Sequence, residues 1–299
     1  MSTVLCSIDE RTPDKLMEGP WVLIEERAAG FATRTAFFNK TGFAAYAHLV
    51  DEYRCDGLEI AIEDIAEDRL QAWFTPDFSP IRHRDAITQL GVTGAGAFAA
   101  DLDLDVFRTF GRVKGLSTQG VSFGGRLPEL FPHLQAWRNL DWKSNPVTAS
   151  AGAWPALAHL SLQGFNGSLA VFEGAPLETL FLIASTVNDV SEVLRFPRLS
   201  RLQMVSCRLA GDISTLSALA QLRSLRVEGK NKLTGWESFG SATLVNLEAS
   251  HVPCRFPAQQ FPRLENYAVN AYRGGDPFND SGGDIDLLAD EFDSLVAPD

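Results

Sequence analysis

The side chains most able to do chemistry in this chain are few and scattered. Its five histidines, His48, His83, His133, His159 and His251, include no HExxH pair and no other close ligand spacing. His159 stands two residues before Ser161, so on a strand both would leave the same face, with Asp141 of a preceding strand as a neighbour. A Ser, a His and an Asp within reach of one another suggest a nucleophilic triad, but a flat sheet supplies no sharp turn from which to build an oxyanion hole. Arg82-His83-Arg84-Asp85 has the charges of an anion site without a glycine-rich cradle, and reads as a solvated turn. Asp276, Asp280, Asp284 and Asp286 do not follow the spacing of a calcium loop. Cys6, Cys55, Cys207 and Cys254 lie far apart, as free thiols do in a reducing compartment, and Cys254 has no base at a fixed spacing. These residues predict no catalytic set, no metal and no cofactor.

What the sequence does repeat is apolar. Leu157-x-x-Leu160-x-Leu162 recurs as Leu177-x-x-Leu180-x-Leu182, Leu199-x-x-Leu202-x-Met204, Leu222-x-x-Leu225-x-Val227, Leu244-x-x-Leu247-x-Ala249 and Leu264-x-x-Tyr267-x-Val269. Upstream the frame reads Trp137-x-x-Leu140-x-Trp142, Val113-x-x-Leu116-x-Thr118 and, more weakly, Ile87-x-x-Leu90-x-Val92. Starts separated by 20 to 26 residues are the mark of a solenoid. In a strand the fourth and sixth positions of each unit point inward together, and stacking the strands in parallel gives one continuous core. The 11 to 15 residues left in each unit suffice for turns, a short strand or one helical turn.

These anchors resemble those of the leucine-rich repeat family from about Ile87 to Tyr272. The resemblance implies an α/β solenoid, a horseshoe or arc with a parallel sheet on its concave side, between a mixed α/β N-terminal cap and a short C-terminal cap. The family places Asn or Cys three residues after the third anchor. Asn145 and Cys207 match, whereas Val121, Phe165, Ser185, Lys230 and Val252 depart, which implies a broken side-chain ladder at that turn.

Three regions follow. Residues 1–85 lack the period: Trp21–Ile24 reads as a strand, Thr41–Tyr53 as a helix with one apolar face, and Leu58, Ile60 and Ile62 alternate as a half-exposed strand. This region is expected to cap the solenoid or form a small module. Residues 86–272 are the repeats. Residues 273–299 carry eight acidic groups and no Lys or Arg after Arg273, with Ile285, Leu287, Leu288, Phe292 and Leu295 spaced for a short cap helix.

The concave face follows from the frame. Its central row is Gly91, Ser117, Asp141, Ser161, Phe181, Gln203, Arg226, Glu248 and Ala268, flanked by rows that include His159 and Arg201 on one side and Ile183, Val205 and Glu228 on the other. Phe181, Ile183 and Val205 are expected to be exposed beside Arg201, Gln203 and Arg226, the composition of an interface hot spot, with Asp141, His159, Glu228 and Glu248 around them. The competing expectations are that a loop from the N-terminal region folds over the patch, or that the outer face tolerates scattered apolar groups. An open matrix suits a folded protein or extended peptide better than a metabolite. A net charge of −12 argues against nucleic acid and favours a basic partner. No apolar run is long enough for a membrane helix, and the opening residues lack a signal-peptide pattern, so a cytoplasmic protein is expected. The reading is a non-enzymatic protein-binding scaffold, an immunity-type inhibitor or an adaptor. The alternative is an enzyme with its chemistry in the N-terminal region and the repeats as substrate reader.

Overall fold

The computed structural model describes residues 22–26, 31–61, 76–94, 103–142, 152–229, 231–253, 256 and 258–271. They fall into two compact units that divide between residues 147 and 148. Cys6, Cys254, Lys230, Asn145 and everything expected of the segment after Ala271, including the C-terminal cap helix, lie outside the described residues.

In the first unit β1 (Val22–Glu26) runs antiparallel to β2 (Arg34–Phe38). From β2 the strands are parallel and in chain order: β3 (Gly57–Ala61), β4 (Gln89–Thr93), β5 (Gly115–Gln119) and β6 (Ala136–Asn139). The β3 strand is already in the repeat frame. Leu58 pairs with Leu90 and Ile60 with Val92, and all four are buried. The helix expected over Thr41–Tyr53 is two short ones, α1 (Lys40–Tyr46) and α2 (Leu49–Glu52), broken at Ala47 and His48. The Asn39 side chain caps α1 by accepting from Gly42 N at 2.8 Å, and Phe43, Ala47 and Val50 form the buried stripe. A third short helix, α3 (Leu127–Leu130), precedes β6.

The third repeat begins three residues earlier than the apolar pattern suggests. Leu116 pairs with Trp137 and Thr118 with Asn139, so the anchors are Leu134, Trp137 and Asn139, exposed by 3%, 0% and 1%. A buried asparagine at the third anchor is what hid the frame. Its side chain is used to close the turn, accepting from Asp141 N at 3.0 Å. Asp141 therefore follows the strand, and Arg138 holds the outward position beside Ser117.

The second unit stacks β7 (His159–Gln163), β8 (Thr179–Ile183), β10 (Arg201–Val205), β12 (Ser224–Val227), β14 (Asn246–Val252) and β15 (Asn266–Ala271), all parallel. Leu160, Leu180, Leu202, Leu225 and Leu247 stand opposite one another at 0% exposure. Each buried leucine contributes roughly 1.5–3 kcal/mol relative to an exposed one. A second small parallel sheet, β9 (Thr186–Val187), β11 (Arg208–Asp212) and β13 (Asn231–Thr234), forms within the return paths.

The rest of each return is a single 3-10 segment. Those at Leu169–Phe172, Val190–Arg195 and Ile213–Ala218 are each capped by the residue before them, Ser168, Asp189 and Asp212, whose side-chain oxygen accepts the N–H two residues on. At Gly229 the chain leaves β12 with φ of +124°, and a Cβ there would sit 2.6 Å from Cys207 O, so only glycine fits.

Candidate functional site

Strand pairing brings the expected central row together in the second unit: Ser161, Phe181, Gln203, Arg226, Glu248 and Ala268 are neighbours on six successive parallel strands. His159, Thr179, Arg201, Ser224 and Asn246 form the adjoining row, and Gln163, Ile183 and Val205 another. Glu228 continues that last row immediately after β12, where its N–H donates to Met204 O. Asp141 follows β6 in the first unit, and His159 and Ser161 stand on β7 in the second.

Phe181 leaves the outward face as expected, but it is not exposed: only 4% of its surface is accessible, and Gln203, Ser161, Thr179 and Ser224 are just as deeply buried. Alternation along a strand decides which face a side chain leaves from, and says nothing about what stands over that face. The burial is shared by neighbours of different size and polarity on β7, β8, β10 and β12, so it belongs to the place and not to the phenyl ring. Ile183, Val205, His159, Arg201, Arg226, Glu228 and Glu248 are half-buried.

Charge on this face is concentrated on β12 and β14. Arg226 Nη2 lies 2.9 Å from Glu228 Oε2 and Arg226 Nε lies 3.3 Å from Glu248 Oε2. Burial raises the pKa of Glu248, Arg226 opposes that shift, and the nearby Glu228 reinforces it. Burial lowers the pKa of His159, with Glu178 pulling it up and Arg201 pushing it down, so the ring is neutral at pH 7. Gln203 Nε2, Ser224 Oγ and His159 Nδ1 are buried without a hydrogen-bond partner among the described residues.

Among the described residues the face carries donors, acceptors and apolar groups in a fixed array, without a nucleophile hydrogen-bonded to a base. Cys207 is inside the core, its thiol against Leu182 O at 3.2 Å and Val205 O at 3.3 Å, and burial pushes its pKa up to about 11. Cys55 is raised to about 11 for the same reason. Among the described residues no group of three or more His, Cys, Asp or Glu is placed to hold a metal, and no helix is long and apolar enough to cross a membrane. The Arg82–Asp85 turn is pinned by Asp51, which accepts from Arg82 N at 2.7 Å and His83 N at 3.0 Å.

No family model and no curated protein matches the chain. Among solved structures it is similar to internalin C2 from Listeria monocytogenes str. 4b F2365, at 17% identity and a TM-score of 0.41 over 62% of this chain and 82% of that one. The decisive observation is internal, namely that the inward leucines of five parallel strands pair one to one at a repeat of 20 to 23 residues. The fold is a leucine-rich repeat solenoid.

Two features of these leucine-rich repeats escaped the sequence reading. Ser185, a departure from the Asn or Cys position, serves the turn itself: its hydroxyl accepts from Phe165 N at 3.0 Å and lies 2.8 Å from Ile183 O. The repeat also begins with an aromatic-Pro-x-Leu turn, as in Phe131-Pro132-His133-Leu134, Trp154-Pro155-Ala156-Leu157, Phe196-Pro197-Arg198-Leu199 and Phe261-Pro262-Arg263-Leu264. In each the leucine N–H donates to the aromatic residue's carbonyl. That tetrapeptide marks Leu134, and not Trp137, as the start of the third repeat.

Proposed function

We propose that this protein is a non-enzymatic protein-binding scaffold whose partner docks on the outward face of the second unit's sheet. One observation carries the reading: in β8, β10 and β12 the inward positions repeat as Leu180, Leu202 and Leu225, while the paired outward ones, Phe181, Gln203 and Arg226, do not. Packing requires the first set to be alike. It leaves the second free, and a fixed array of dissimilar groups is what recognition of one surface uses. The half-buried Ile183, Val205 and Arg201 are the anchors a partner meets first, and Glu228 and Glu248 suit basic groups at its edge.

The net charge of −12 favours a basic partner. An immunity-type inhibitor or an adaptor is the finer form of the same reading, and both use this face. The test is co-purification from native extract with the parent chain and with an I183D/V205D variant whose denaturation midpoint matches the parent. A partner retained by the parent and lost by the variant is the expected result. Equal retention by both would move the binding surface elsewhere.

A further inference from the structure

On the main sheet of the second unit, the residue just after the last outward position takes a left-handed conformation on five successive strands. After Gln163 and Glu228 it is Gly164 and Gly229, with φ of +72° and +124°. After Ile183, Val205 and Ser250 it is Ala184, Ser206 and His251, with φ of +48°, +54° and +63°, and all three are exposed. Glycine holds this conformation freely, whereas a side chain there is strained. An exposed turn has no packing reason to keep one. Such strain gathers at ligand clamps, where the retained group makes a contact that glycine cannot. Ala184 and Ser206 directly follow Ile183 and Val205, apolar residues of the outward row that are only half-buried, whereas Phe181 is 4% exposed.

We infer that the ends of β8, β10 and β12 are the rim on which the partner docks, and that they take an extended segment carrying an apolar side chain and, two residues on, a lysine or arginine. This names the partner chemistry for the face proposed above and rests on that proposal. Ile183, Val205 and Glu228 occupy one row on three adjacent strands. With strands roughly 4.8 Å apart, the middle of the Ile183 and Val205 pair lies one and a half spacings, or roughly 7 Å, from Glu228. Side chains on one face of an extended segment recur every two residues, roughly 6.7 Å, so an apolar and a basic group at that spacing meet both. The methyl of Ala184 and the hydroxymethyl of Ser206 widen the apolar seat. At the other end Arg226 answers two carboxylates, those of Glu228 and Glu248, which leaves an excess of negative charge for the basic group.

The probes are acetyl-Ser-Phe-Ser-Lys-Ser-amide and its isomer acetyl-Ser-Phe-Lys-Ser-Ser-amide, equal in composition and charge, titrated into the full chain and followed by NMR. The first should bind about fivefold more tightly, because in the isomer the lysine leaves the opposite face of the segment. Glu228→Gln should abolish that preference. Ala184→Gly and Ser206→Gly should each raise the urea midpoint of the chain and weaken the first peptide by about threefold, a combination that a purely structural turn would not give. Equal affinity for the two peptides, binding of neither, or glycine variants that gain stability without losing affinity would overturn the rim. A lower midpoint in the glycine variants would overturn it too, since the two side chains would then serve the fold. The co-purification test uses neither peptide. Loss of a retained partner by I183D/V205D beside equal peptide affinities would overturn the rim and leave the binding face, whereas equal retention would overturn the face itself.

Discussion

Trp137 donates its indole N–H to the hydroxyl of Thr118 at 3.0 Å, tying the inward faces of β6 and β5 through one buried bond. The bond fixes the register of the third repeat. Trp137→Phe leaves the Thr118 hydroxyl with only a 3.5 Å contact to Arg138 O. The variant should lose about 1–3 kcal/mol in urea denaturation. Leu140→Ala, at a half-buried position after the strand, should cost less. A larger loss at Leu140 than at Trp137 would restore the uncorrected frame.

Leu180 tests the stack in the second unit. It is fully buried between Leu160 and Leu202, and Leu180→Ala should cost about 2–5 kcal/mol. Leu194, exposed by 36% on a return path, should tolerate the same change to within about 0.5 kcal/mol. Similar midpoints for the two variants would mean that the repeats do not share a core.

Much of the fold was legible because the inward residues must be alike. Leu160, Leu180, Leu202, Leu225 and Leu247 announce the parallel stack and its register before any coordinate is known. The frame failed at Asn139 because a polar side chain can occupy an inward site when the turn supplies its hydrogen bond. The candidate site was legible in direction and not in depth. The outward row from Ser161 to Ala268 is correctly ordered, yet the alternation that orders it carries no information on how deeply Phe181 is buried.

Glu248 gives the face a pH signature. Its folded pKa lies above its ordinary value of 4.5, chiefly because burial disfavours the charged form. The folded chain therefore holds this proton more tightly than the unfolded chain, and stability falls as pH rises from that value through the raised one. Glu248→Gln removes that slope. Urea midpoints of the variant should gain on the parent as pH rises from roughly 4.5 upward. Parallel curves would place Glu248 in an environment no different from solvent.

The outward face of the second unit is the central claim, and calorimetric titration with the purified partner measures it. Arg201→Ala and the Ile183→Ala/Val205→Ala pair should each weaken affinity by about 1–4 kcal/mol, tenfold or more for any loss above about 1.4 kcal/mol. Ser117→Ala, on the sheet of the first unit, should bind like the parent. Unchanged affinity in both second-unit variants, with denaturation midpoints equal to the parent's, would contradict the account.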